Sequence, residues 1–283
     1  MRAAQVGMMV NLILAVIKLI AGIVGHAYAL VADAVESTAD IFSSLVVYGG
    51  LRIAAQPADE DHPYGHGRAE ALAGALVAVM LVAAAIGIAI EAVREIRTPH
   101  HIPHAWTLAV LVGVIVIKQI LASKVFSIGS EIGSTAVIAD AKHHRSDVIT
   151  SSAAFIGISI AVIGGPGWEQ ADDWAALVAS IVIAYNGVKM MRPAIDDLMD
   201  RVPEADVVQR IASAATSVSD VRAIEKLKVR KVGLQYAVDL HVQADSHMSL
   251  HDAHIVSGKV KGAIRAAMPS VDGVLIHMEP YEQ

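Results

Sequence analysis

Residues 29–55 read ALVADAVESTADIFSSLVVYGGLRIAA. As a helix this stretch is long enough to cross a bilayer core of about 30 Å. Three carboxylates, Asp33, Glu36 and Asp40, interrupt its first half. A charge at the centre of a bilayer costs roughly 2.5–3.5 kcal/mol on insertion scales. A span that keeps three of them faces other protein or a polar pathway, not lipid. Glu36 and Asp40 are four residues apart and share one helix face.

Other apolar spans surround this one. They cover residues 7–25, 69–96, 105–127, about 135–164 and about 171–195. The breaks between them (GHAYA, QPADEDHPYGHG, RTPHHIPH, GGPGWEQ) carry Gly, Pro and His, which punctuate helices. The reading is an α-helical membrane protein with a six-helix transmembrane bundle over residues 1–199. A competing reading of the first span is a signal peptide ending at Ala27-Tyr28-Ala29. Lys18 and Asn11 interrupt that run; a membrane helix tolerates both if they face the bundle or snorkel.

Composition agrees. The chain of 283 residues is 55% hydrophobic and 18% charged, against about 25% charged in soluble domains, which excludes disorder. Cysteine is absent, which removes disulfides, thiolate zinc sites, iron–sulfur clusters and cysteine nucleophiles. A net charge of -6 argues against a nucleic-acid binder. There is no HExxH motif and no nucleophile with its base, so an enzyme is not expected.

After Asp200 charges become regular. Residues 203–218 and 250–268 read as helices, and 221–230, 234–244 and 271–279 as strands. In the second strand Tyr236, Val238, Leu240 and Val242 alternate with polar or small residues. The order αββαβ makes residues 200–283 a small α+β domain. By the positive-inside rule, Arg2, Arg52, Arg68, Lys118, Lys124 and Arg201 share the cytoplasmic side with it. Both termini are then cytoplasmic.

Thirteen histidines are many for so apolar a chain. The fifth span holds Asp140, Lys142, His143, His144, Arg145 and Asp147. His143 and Asp147 again stand four apart. If their face meets that of Glu36 and Asp40, three carboxylates and one imidazole converge. Such a set suits Zn²⁺ and also serves Fe²⁺, Co²⁺ or Mn²⁺. The competing readings are helix-tying ion pairs with Lys142 and Arg145, or an aqueous loop before Val148. In the 56–67 loop, His62 and His66 flank Pro63 and Gly65 in a turn that brings two imidazoles near Asp59, or else the segment is simply solvated. His277 and Glu279 lie two apart on one strand and point the same way. His241 falls on the polar face of its own strand. His100, His101 and His104 read best as polar loop.

ADAVESTAD, QPADEDHPYGHGRAEA and KHHRSD resemble the cation diffusion facilitator family, and the spans and αββαβ tail resemble its whole layout. The resemblance implies a homodimeric inner-membrane exporter of divalent metal ions from the cytoplasm in exchange for protons, with Zn²⁺ the first expectation and Fe²⁺, Mn²⁺ or Co²⁺ the others. It places a transport site on Glu36, Asp40, His143 and Asp147, with Glu36 where Asp or His is more usual. It places a loop site on Asp59, His62 and His66, and a cytoplasmic-domain site on His241, His277 and Glu279 with help from His254. Another ligand position falls on Glu225, which simple alternation puts on the core face with Leu227 and Val229. An interlock pairs Arg68 with Asp200. The alternative is a non-transporting membrane metal sensor or scaffold of the same fold, which has no need of the membrane quartet.

Overall fold

The computed structural model describes residues 2–98, 102–131, 135–165 and 167–282; the side chains of residues 2–8, 43, 44, 47, 128, 129, 131 and 135–146 lie outside that description. Six long helices come first: α1 (Arg2–Val24), α2 (Tyr28–Ala54), α3 (Ala69–Arg97), α4 (Trp106–Glu131), α5 (Thr135–Gly164) and α6 (Gln170–Leu198). The αββαβ order follows as α7 (Ala205–Thr216), β1 (Ala223–Val232), β2 (Gln235–Ala244), α8 (Leu250–Ala267) and β3 (Val271–Pro280).

Among the described residues, stretches of α3, α4, α5 and α6 are long and apolar enough to cross a membrane. The apolar part of α1 is the shorter Met9–Val24. α2 has 27 residues, and its three carboxylates lower its hydropathy. Two compact units emerge, one of Met1–Val46 with Leu76–Met191, the other of Val47–Ala75 with Arg192–Gln283.

The first unit is a helical bundle with its large apolar side chains outward. Ile23 is 60% exposed and Ile163 is 83% exposed. Its interior is built from Ala21, Ala27, Ala29, Ala92, Ala154 and Ala176 around Leu30, Leu111 and Ile158. Small residues inside let helices approach closely, and large apolar residues outside suit a lipid solvent. Just past α1 stands Gly25, where an added Cβ would lie 2.1 Å from Thr107 Cγ2, so only glycine lets the start of α4 come this close. The next helix is capped from a distance. Asp172 of α6 accepts hydrogen bonds from the amides of Tyr28 (2.6 Å) and Ala29 (3.0 Å). These are orphan donors of α2's first turn, and a carboxylate there also complements the helix dipole.

The second unit holds a three-stranded sheet in the order β1-β2-β3. β1 and β2 pair antiparallel, and β3 pairs parallel to β2, a connection that needs the crossover helix α8. Val207 and Ile211 of α7 and Val256, Val260 and Ile264 of α8 pack on Val229, Val238, Leu240 and Val242. The helices thus cover one sheet face and leave the other open. Ile264 is fully buried; Ile264→Ala is expected to cost about 2–5 kcal/mol, read by chemical unfolding of the full chain. α7 starts at Ala205, not at Pro203, because Glu204 keeps an extended ψ of 146°. The β1–β2 turn meets the start of α3 at Gly67, where an added Cβ would lie 2.7 Å from Val232 Cγ1.

Candidate metal centres

Four buried charges of the bundle and two serines link into a ring. Lys18 Nζ of α1 lies 2.8 Å from Asp33 Oδ2 and donates to Ser37 Oγ at 2.9 Å. Ser37 also accepts from Lys118 Nζ of α4 at 3.3 Å. Lys118 pairs with Asp147 Oδ2 of α5 at 2.9 Å. One turn along α5, Ser151 Oγ donates to both Asp33 oxygens at 3.0 and 2.9 Å, closing the ring. Lys18, Asp33, Ser37, Lys118, Asp147 and Ser151 are all buried. Each charge has a partner, the condition under which charges survive in a low-dielectric interior.

Of the expected transport ligands, Glu36 and Asp40 lie half-buried on α2, and Asp147 is 7% exposed on α5. Glu36 is within electrostatic reach of Asp33, Asp40, Asp147 and Lys118. The carboxylates of Glu36, Asp40 and Asp147 do not form a group in which all three lie within 4.8 Å of one another. The backbone of α5 passes through His143, whose side chain lies outside the described residues, as do those of Asp140, Lys142, His144 and Arg145. Asp147 pairs with Lys118 and Asp33 with Lys18, residues the ion-pair reading did not name. An unsnorkelled lysine in each of two apolar spans, matched by carboxylates in two others, was the signal available. Lys118 also drops out of the positive-inside tally, because a fully buried, ion-paired lysine is not a loop charge.

Two groups of three donors, each with its ligand atoms within 4.8 Å, occur among the described residues. The first is Asp59, His62 and His66. Pro57, Pro63 and Gly65 (φ +77°) break the helical path, and a turn forms in which His62 N donates to Asp59 Oδ1 at 2.6 Å. That backbone bond, followed by His62's ring, holds the Asp59 carboxyl below the usual aspartate range. His66 Nδ1 lies 3.2 Å from the carbonyl of Pro57. A carbonyl only accepts, so that contact assigns the proton to Nδ1. In the neutral ring the Nε2 lone pair then faces Asp59 Oδ2 at 3.4 Å, two acceptors that a cation between them would reconcile.

The second group is His241, His277 and Glu279, on the open sheet face. Parallel register sets His241 of β2 beside His277 of β3, with ring centroids 4.8 Å apart. His241 Nδ1 lies 2.6 Å from Glu279 Oε1, and His277 Nε2 lies 3.7 Å from the same oxygen. The His241 hydrogen bond pulls the Glu279 carboxyl below its ordinary value. A depressed carboxylate contributes stability that is present above its unfolded value and lost as pH falls through the folded one. Unfolding of Glu279→Gln should therefore differ from wild type at neutral pH and converge on it below the ordinary value of 4.5. A difference that persists unchanged into acid would contradict the pairing.

Glu225 is not on the core face. A bulge between Glu225 and Lys228, with Lys226 at φ +50°, shifts the phase of β1. Glu225 is exposed and in register with His241, while Leu227 and Val229 still reach the core. An extra residue breaks strand alternation in this way. His254 is exposed on α8, outside the three-donor group.

Arg68 and Asp200 meet. Arg68 Nη2 donates to Asp200 Oδ1 at 2.7 Å, and Nη1 reaches the Leu198 carbonyl at 3.5 Å. The guanidinium thus forks between a carboxylate and an orphan carbonyl at the end of α6, instead of gripping Asp200 with both arms. Lys231 Nζ adds a 2.9 Å pair with Asp197, a bond that raises the Lys231 ammonium above its usual range. His104 is exposed; His100 and His101 lie outside the described residues.

A bundle of apolar helices around a ring of buried charges, continued by a small α+β domain, defines a multi-pass membrane protein. The chain belongs to the cation efflux family. The cation efflux transmembrane domain matches residues 4–199, and the cytoplasmic domain of cation efflux proteins matches 203–281. It is a family of transporters, not of enzymes. The manganese efflux system protein MneP of Bacillus subtilis is 30% identical over 99% of this chain and 96% of its own length. The cation-efflux pump FieF of Cronobacter sakazakii is 29% identical over 99% of this chain and 92% of its own. A nickel form of a MamM C-terminal domain variant is 24% identical, covering 28% of this chain and all of that one, with a TM-score of 0.27.

Proposed function

We propose that this protein exports divalent metal ions from the cytoplasm in exchange for protons. The observation that carries the reading is a buried carboxylate, Asp147, held by a cation inside an apolar bundle, with Glu36 and Asp40 close by on α2. With His143 these residues are the transport ligands. Metal ligands must be deprotonated to bind, so metal entry expels protons and proton entry expels metal. All six long helices span the inner membrane, residues 1–199 form the membrane domain, and both termini with residues 200–283 are cytoplasmic. The two three-donor groups are accessory metal sites that sense cytoplasmic metal, and Arg68 with Asp200 ties α3 to the end of α6. The chain works as a homodimer, and the open sheet face, with Leu275 67% exposed, is a surface a second copy can cover.

Three carboxylates and one imidazole make an oxygen-rich set, which favours harder ions than a histidine-rich one. Together with the relative named for manganese efflux, this sets Mn²⁺ beside Zn²⁺ as a first substrate to test, with Fe²⁺ and Co²⁺ after them. Full-length protein in liposomes carrying a metal dye and a pH dye should show metal flux and opposite proton flux. Metal binding with no flux of any of the four ions would reject transport and leave the sensor or scaffold alternative.

A further inference from the structure

We propose that the Lys118 ammonium is a tethered counter-ion of the transport site, held on Asp147 while the site is empty and displaced from it by the incoming divalent ion. This rests on the reading of Asp147 as a transport ligand. Lys118 stands near the middle of α4, about 18 Å from its start at 1.5 Å per residue. It is 1% exposed, too deep to snorkel. Among the described residues it bonds Asp147 and Ser37. Ser37 directly follows Glu36 and precedes Asp40 by one turn. The ammonium therefore sits where the two ligand-bearing helices meet.

A metal ion and the ammonium compete for the same Asp147 carboxylate, and like charges on one carboxylate repel. The ion has to move Lys118 away, and Ser37 Oγ, already in contact, is the partner that remains. Lys18 is an internal contrast. It bonds Asp33, Ser37 and Ser151, none of them a transport ligand, so metal entry does not compete with it. A lysine that competes sets the affinity of the site: it keeps binding weak enough for release and holds the empty carboxylate neutralised until the next ion arrives.

Mn²⁺ binding to the full-length protein tests the proposal, in a background with Asp59→Ala and His241→Ala to silence the two accessory groups. Lys118→Met removes the competitor and is expected to lower the half-saturating Mn²⁺ by about tenfold or more. Lys118→Arg substitutes a guanidinium that grips carboxylates in two places and is expected to raise it. A lysine that only holds the helices together gives the opposite order: Lys118→Met binds no better than wild type, and Lys118→Arg restores wild-type binding. Either of those results overturns the proposal. If Lys118→Met does not fold, the direction of change in Lys118→Arg decides alone. Asp147→Ala separates the two ideas. Wild-type Mn²⁺ binding in that variant rejects Asp147 as a ligand and the tether with it. Lost binding, with the lysine variants in the wrong order, rejects the tether alone.

Discussion

Asp40→Ala combined with Asp147→Ala is expected to reduce metal-coupled proton flux in liposomes by roughly 100-fold or more, since even outer-shell changes at metal sites cost 10–100-fold. The pair removes one carboxylate from each helix of the proposed transport site and leaves only Glu36 and His143 of the proposed set. Asp147→Ala also leaves Lys118 without its 2.9 Å partner, and a destabilised protein would mimic a transport defect. Asp147→Asn controls for this. The amide keeps an oxygen for Lys118 and removes the charge that the proposed metal site needs. Transport should fall in Asp147→Asn while thermal unfolding moves less than in Asp147→Ala. Flux at the wild-type rate in the double alanine variant would remove Glu36, Asp40, His143 and Asp147 from the mechanism altogether.

Lys18→Met is expected to be among the most destabilising single changes in the bundle. It leaves Asp33, 4% exposed, with the Ser151 hydroxyl shared between its two oxygens and, among the described residues, no paired cation. Breaking a buried ion pair from one side costs about 3–5 kcal/mol, whereas replacing both partners by uncharged groups of similar size is often neutral. Lys18→Met with Asp33→Asn should therefore recover most of the lost stability. It should also recover transport, because neither residue belongs to the proposed transport site. Thermal unfolding of the two single variants and the double variant in detergent closes the cycle. Recovery of stability without recovery of flux would move Asp33 into the transport machinery.

Apolar spans and two-residue alternation carried most of the element order, because both report directly on which side of a helix or strand meets water. β2 and α8 begin within a residue of their expected starts, since Gly233 and Ser249 punctuate the chain there. Ser249 accepts a hydrogen bond from Asp252 N as the N-cap of α8. Two features were not legible. The bulge at Lys226 is a local backbone choice with no compositional mark, and it alone decides which face Glu225 shares. The partners of Asp33 and Asp147 come from helices 15 to 29 residues away in sequence; spacing along one helix names neighbours on that helix and says nothing of what packs across from it. The i, i+4 carboxylates on α2 were readable for the same reason that the lysines opposite were not.

The ring described in the bundle has an electrical consequence. Its two ammoniums face two carboxylates, Asp33 and Asp147, so these four side chains together carry no net charge. A transmembrane voltage does work only on net charge that crosses it, about 2.3 kcal/mol per charge per 100 mV. A ring balanced in this way can shift with the helices that carry it while the voltage does no work on it.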